Sequence, residues 1–145
     1  MDITHGKYPG VDYGDKRTGL AECDLSGQLA SGICTISEGG MKKTAERVAR
    51  EASARACKKI IVGLPKNMDG SEGPRADVVK AFTALLSELV EIPIEYFDER
   101  MTTMAAYRFL DGAGTFGKKR KEVIDTLSAE LILQGYLDRE RAQSK

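Results

Sequence analysis

The sequence predicts an α/β domain: a mixed five-stranded sheet flanked by helices. Three observations carry this. A short run at 10–12 is followed, across glycine-bounded turns, by extended runs at 18–23 and 29–36, an antiparallel opening. Ile60-Ile61-Val62-Gly63-Leu64 is apolar without alternation, as a strand covered on both faces reads. From 41 to 97 the pattern runs helix, strand, helix, strand, the order of a covered parallel layer.

The elements follow in order. Residues 1–9 are polar and include Pro9, so they form a weak lead into the first strand and are expected to fray. Asp24-Leu25-Ser26-Gly27 is a hairpin-like turn. After a break at 37–40, residues 41–57 read as a helix with Ala45, Val48, Ala49, Ala52 and Ala56 on one side. Such small residues suit close packing on a sheet. The 65–74 loop is rich in glycine and proline and closes the strand at 60–64. A helix over 75–90 carries the stripe Val78, Val79, Phe82, Leu85, Leu86 and Leu89. A strand at 92–97 ends on Asp98-Glu99. A short helix at 101–110, with Thr102 and Thr103 as its candidate caps, and a glycine-rich stretch at 111–117 precede the last helix, 118–139. Its apolar positions include Val123, Ile124, Leu127, Leu131, Ile132 and Leu137, and 140–145 is expected to fray.

A chain of 145 residues suits one domain, 1–145, and leaves no room for two lobes closing over a cleft. Lysine plus arginine number 22 and aspartate plus glutamate 22, so nucleic acid must be met by a local basic patch rather than a global field. Three cysteines, Cys23, Cys34 and Cys57, form no CxxC pair, which argues against a disulfide framework and for a reducing, cytoplasmic setting. His5 is the sole histidine, so a histidine triad or zinc site is poorly supported. No apolar run approaches the roughly 18 residues of a membrane span.

Three acidic places stand out: Asp12 at a strand end, the pair Asp98-Glu99 at another, and Asp125 inside a mostly apolar helical face with Ser128, Ala129 and Ile132. Carboxylates are hard oxygen ligands, and acidic groups on adjacent rigid elements suit two Mg²⁺ or Mn²⁺ ions in phosphodiester cleavage. Strand alternation sends Asp98 and Glu99 to opposite sides, so only one of them can be a direct ligand. Each site also has a plain structural reading, as a turn residue, a strand-end cap and half of an ion pair respectively. Lys66, Asn67 and Arg75 in the 65–75 loop, with the helix start behind Pro74, are candidate contacts for a phosphate backbone. Arg100 adds a cation beside the acidic pair. Lys16 and Arg17, with Lys118, Lys119 and Arg120, form the other basic surface. The latter run opens a helix, where cations oppose the dipole, and this favours an anionic partner. Tyr13, Tyr96 and Phe97 read as packing residues.

Four ordered motifs then carry a resemblance. They are Val11-Asp12-Tyr13-Gly14; Ile61 through Ser71 with Gly73-Pro74-Arg75; Asp98-Glu99-Arg100-Met101-Thr102-Thr103; and Lys119-Arg120-Lys121 through Asp125. Together, over residues 10–138, they resemble the YqgF family, which is similar to Holliday junction resolvases. The resemblance implies a ribonuclease H-like fold and a metal-dependent nuclease maturing the 5′ end of pre-16S ribosomal RNA. It places the family's acidic residues at Asp12, Glu99 and Asp125. For a metal-activated water attacking in line, Asp12 is expected to bridge two Mg²⁺ or Mn²⁺ ions, with Glu99 and Asp125 each holding one. The partner would be the ribosomal RNA precursor or another structured nucleic acid, met by a monomer or homodimer away from any membrane. The chain departs from the family in the polar run before Val11, which predicts a first strand short at its start.

Two other classes compete. Asp12-x-Gly14 with Thr18-Gly19 also resembles the phosphate loop of actin-like ATPases and sugar kinases, but these need a second lobe. A non-catalytic RNA-binding ribosome-assembly factor is the stronger rival, and junction resolution a further enzymatic one.

Overall fold

The computed structural model describes residues 7–14, 16–37, 39–101 and 118–143, without the side chains of 101 and 118–125. Strand β1 spans Pro9–Asp12, β2 Thr18–Cys23 and β3 Ala30–Ile36. Helix α1, Gly40–Ala54, leads to β4, Ile60–Leu64. Helix α2, Pro74–Ser87, leads to β5, Ile94–Asp98. A 3-10 turn, Glu99–Met101, and a long helix α3, Lys118–Gln143, complete the described chain. The sheet order is β3-β2-β1-β4-β5, antiparallel across β3, β2 and β1 and parallel across β1, β4 and β5. The expected mixed five-stranded sheet is therefore present.

Pro9 stands at the first residue of β1, where a missing N–H is tolerated, and all four residues of the strand are buried. The polar approach thus shortens the strand without exposing it. The turn at 24–27 closes through Asp24, whose carboxylate accepts from Ser26 Oγ and from the Gln28 and Leu29 amides. Gly27 there takes φ 71°. The predicted helix at 101–110 and the stretch at 111–117 lie, beyond Met101, outside the described residues.

One core fills the face of the sheet under α1 and α2, built on Val11, Leu20, Ile60, Val62, Val48 and Phe82. The other lies under α3, built on Ala21, Ile61, Phe97, Ile132, Leu133 and Tyr136. Ala129, Leu133 and Tyr136 join the stripe expected for the last helix. That helix runs past Arg139 to Gln143; Arg141 holds its last turn through Asp138 (2.5 Å) and the Gln28 carbonyl (3.3 Å).

Helix α1 ends at Ala54 rather than 57. Ala56 takes φ 53°, and the amides of Ala56 and Cys57 donate back to the Ser53 and Ala52 carbonyls. This is a Schellman closure with alanine where glycine is usual, and it puts Ala56 outside the helix and exposed. In α2 the buried residues are Ala76, Val79, Phe82 and Leu86. Val78 and Leu89, expected in the stripe, are 38% and 46% exposed. Val78 is out of phase with that buried set, and Leu89 lies beyond the end of the helix.

Helix α3 also covers the outer edge of β3. The Ala30 amide donates to Gln134 Oε1 (2.8 Å) and the Gly32 amide to Glu130 Oε1 (2.9 Å), so side chains take the place of a further strand. Near its C-terminal end, Lys59 Nζ donates to Tyr136 Oη (2.7 Å) and Glu95 Oε1 (3.0 Å). Burial disfavours that lysine's charge, but the two oxygens outweigh it and raise its pKa above the ordinary value. No helix among the described residues is long and apolar enough to cross a membrane.

Candidate active site

The site is built where β1, β4 and β5 end, on the face covered by α3. Side chains alternate along a strand, so every second residue of the β1 segment faces α3. The Tyr8 ring meets Tyr136 edge-on at 6.1 Å, and a Cβ on Gly10 would stand 2.7 Å from Leu133 Cβ and 2.9 Å from the Ala129 carbonyl. Going up the strand therefore means going back along the helix. Asp12 is the next residue on this face, and backbone position 125 lies one turn before Ala129. The strand step of two residues, about 6.7 Å, and the helical turn, about 5.4 Å, bring those two positions to the same level.

Glu99 reaches this level from the other side. The pairing of Gly10 with Ile61 and Val11 with Val62 sets Gly63 beside Asp12 on the adjacent parallel strand, about 4.8 Å away. Glu99 Cγ lies 3.2 Å from where a Cβ on Gly63 would be. The same Cβ would overlap Ile132 Cδ1. Gly63 thus leaves the floor between Asp12 and Glu99 open. Sequence reading missed this residue; the available signal was a glycine inside a buried strand, which marks a close approach.

Asp98 and Glu99 differ in orientation and in partners. Phe97 packs under α3, so Asp98 turns to the opposite face. Its carboxylate is engaged by Arg100, with Nη2 to Oδ2 at 2.7 Å and the backbone amide to Oδ1 at 2.9 Å. Those hydrogen bonds hold its pKa below the usual aspartate range. Arg100 also donates to the Met68 carbonyl (3.3 Å), and its guanidinium lies over Gly70, which has φ +90°. Its donors therefore pin the 65–74 loop. Asn67, exposed, is likewise engaged within the loop, donating to Ser71 Oγ from its side-chain amide and to the Ser71 carbonyl from its backbone.

The other candidate cations ring the same end of the sheet. Lys66 follows Pro65 at the end of β4 and is half-buried; Arg75 is exposed in the first turn of α2. Lys16 and Arg17 sit in the β1–β2 turn, where Gly14 is required because a Cβ would come within 2.5 Å of the Arg17 carbonyl. Lys118, Lys119 and Arg120 open α3, but their side chains, like that of Asp125, lie outside the described residues. Tyr13 and Phe97 are buried as expected, whereas Tyr96 is 37% exposed.

The donor set fits a hard divalent cation. Asp12 is only 7% exposed, the Glu99 side chain passes the neighbouring Gly63, and both residues offer oxygen alone. Two carboxylates brought together in a half-closed site repel unless a cation or proton intervenes. Among the described residues alone, no group of three or more histidine, cysteine, aspartate or glutamate side chains is placed as a metal cage.

Comparison with known proteins agrees with this architecture. Residues 6–139 match the family model described as RuvX: Holliday junction resolvase. A Thermoanaerobacter pseudethanolicus protein named "Putative pre-16S rRNA nuclease" is 47% identical over 133 residues, covering 91% of this chain and 96% of the relative. A Clostridioides difficile protein of the same name is 44% identical, covering 92% and 94%. Among solved structures, Thermus thermophilus RuvC in complex with a Holliday junction substrate superposes with a TM-score of 0.61 at 11% identity, over 97% of this chain and 98% of that one. Another structure of that RuvC gives 0.57, also at 11% identity, over 94% and 96%. The likeness at that identity concerns the fold, which is ribonuclease H-like.

Proposed function

The chain belongs to the RuvX family of Holliday junction resolvase-like proteins, and on that premise we propose that it is a nuclease hydrolysing phosphodiester bonds in the 5′ leader of pre-16S ribosomal RNA. The observation that supports this is that the Glu99 side chain passes 3.2 Å from where a Cβ on Gly63 would be, the residue that the β1–β4 register sets beside Asp12. Asp12, Glu99 and Asp125 would hold Mg²⁺ or Mn²⁺. Such ions supply an activated water and neutralise charge on the attacked phosphate and the leaving oxygen.

The chain's own residues do the rest. Gly63 keeps the floor low enough for a phosphate to approach both carboxylates. Arg75 and Lys66 bind the flanking phosphates, and Arg17 and Lys16 extend the same basic rim; contacts of this kind fix register without reading bases. The Asp98–Arg100 pair (2.7 Å) positions the loop that presents Lys66. Close-set carboxylates on rigid strands suit single-stranded or junction-adjacent RNA held by its backbone. We place this work in the cytoplasm, by a monomer or a homodimer.

The test is cleavage of a pre-16S leader transcript and of a four-way DNA junction, with Mg²⁺ or Mn²⁺ added, by wild type, Asp12→Asn and Glu99→Gln. Leader cleavage lost in both variants is the expected result. Junction cleavage alone would make the chain a resolvase. Tight RNA binding without cleavage would make it an assembly factor.

A further inference from the structure

A second recess opens on the opposite face of the sheet, directly behind Asp12. It is a cleft of about 240 Å³ lined by Tyr13, Gly14, Pro74, Arg75, Val78 and Val79. Tyr13 and Gly14 follow Asp12 in the chain, so Gly14 lies no more than about 7 Å from it by backbone reach. The cleft and the carboxylates are therefore two sides of one strand end.

The recess has a defined chemistry. The Tyr13 ring is stacked on Phe82, with centroids 4.3 Å apart and planes 20° apart, so it is a fixed wall. Pro74, Val78 and Val79 supply apolar sides, and Val78 is 38% exposed although it belongs to a helix otherwise well packed on the core. Among the described residues of the lining, Arg75 is the one that carries a charge. The volume falls below the roughly 300–1,000 Å³ of ordinary small-molecule sites. A flat, uncharged ring with a phosphate attached fits this combination: ring between the apolar walls, phosphate on the guanidinium.

We propose that this cleft receives one unstacked nucleobase of the strand being cut, adjacent to the scissile phosphate, with Arg75 on that nucleotide's phosphate. This rests on the nuclease reading above. It assigns Val78 and Tyr13 a part in substrate binding. It also makes the enzyme prefer strands whose bases can be turned out over those buried in a helix, because a paired base reaches the cleft only after unstacking.

The test uses single-stranded leader oligonucleotides in which one base at a time is removed, leaving the backbone intact. Affinity is measured with Asp12→Asn, which leaves the strand uncut, and cleavage with wild type. Removal of the base at one position next to the cut should weaken binding about tenfold, with neighbouring positions flat. Val78→Phe, which fills the cleft from its exposed rim, should weaken binding of the intact strand by a similar factor. Its effect and that of the missing base should not add. A 2-aminopurine at the sensitive position should change fluorescence on binding wild-type cleft and not the filled one. Binding and cleavage with a flat base-removal profile would overturn this inference and leave the nuclease reading standing. No binding and no cleavage of any strand would overturn both.

Discussion

Glu99 lies across Gly63, with its Cγ 3.2 Å from the place a Cβ would take on that glycine. A methyl group there would press on Glu99 from one side and overlap Ile132 Cδ1 on the other. Gly63→Ala should lower cleavage about tenfold and destabilise the fold by about 1–3 kcal/mol, the usual cost of overpacking. The two losses have different sources. Adding Ile132→Val removes the overlapping methyl and should restore the urea midpoint, while cleavage stays low because Glu99 is still displaced. Recovery of both together would mean that Gly63 serves packing alone.

Asp12→Asn separates chemistry from folding at the neighbouring position. The residue is 7% exposed, and on the proposed reading it shares its site with Glu99, whose side chain passes the neighbouring Gly63. An amide keeps the shape and removes a like charge, so the thermal midpoint should hold or rise. Cleavage should fall on the order of a hundredfold or more, since even outer partners of metal ligands are worth roughly 10–100-fold. A collapse of thermal stability would instead mark Asp12 as a structural carboxylate.

Ala56 is the one described non-glycine residue with positive φ, at 53°. An L residue in that region carries a steric cost that glycine lacks. The Schellman closure around it needs only the backbone, through the Cys57 amide to the Ala52 carbonyl at 2.9 Å. Ala56→Gly should therefore stabilise the protein by roughly 0.5–1 kcal/mol without changing cleavage. Equilibrium urea melts of the two proteins compare them directly, and a destabilised variant would show that the exposed methyl makes contacts that matter.

Burial pushes the Cys57 thiol from its ordinary 9.0 up to about 11, with Cys23 and Glu22 adding to the shift. A raised pKa means that the folded state keeps a proton the unfolded chain releases. That contribution to stability is whole below about pH 9 and is lost as the pH climbs through about 11. Wild type should thus lose more stability than Cys57→Ala between pH 8.5 and 11 (roughly the span of the two thiol pKa values). At pH 8 the native thiol should react with iodoacetamide far more slowly than the urea-unfolded one. Equal rates would show that the thiol is open to solvent.

Much of this molecule was legible along the chain. The strands at 10–12, 18–23 and 60–64 stand where apolar runs and glycine-bounded turns put them, because a buried strand tolerates little else. Asp12 and Glu99 were legible as carboxylates at strand ends. Less was legible in helices. The stripe expected for α2 admitted Val78, since one apolar residue looks like another in sequence, and only its phase against the sheet turned it outward. The end of α1 was misplaced because alanine at 56 gave no sign of a left-handed residue. Arg100 read as a cation beside the acidic pair; its hydrogen bonds to Asp98 and to the Met68 carbonyl of the 65–74 loop are a partnership between segments that no local pattern announces.

By itself the sequence determined the order of strands and helices, the two-faced character of the sheet and the types of chemical group available, because periodicity and turn chemistry act over a few residues. Tertiary structure alone decided which of those groups meet. Helix α3 settles onto the sheet at Gly10 and Gly63, where the absence of side chains lets it approach, and that approach sets its register. The register sets which backbone positions of α3 stand over the end of β1, and Glu99 passes 3.2 Å from where a Cβ on Gly63 would be. Distances across a packed face follow from how two surfaces fit, which is a property of the folded pair and not of either segment.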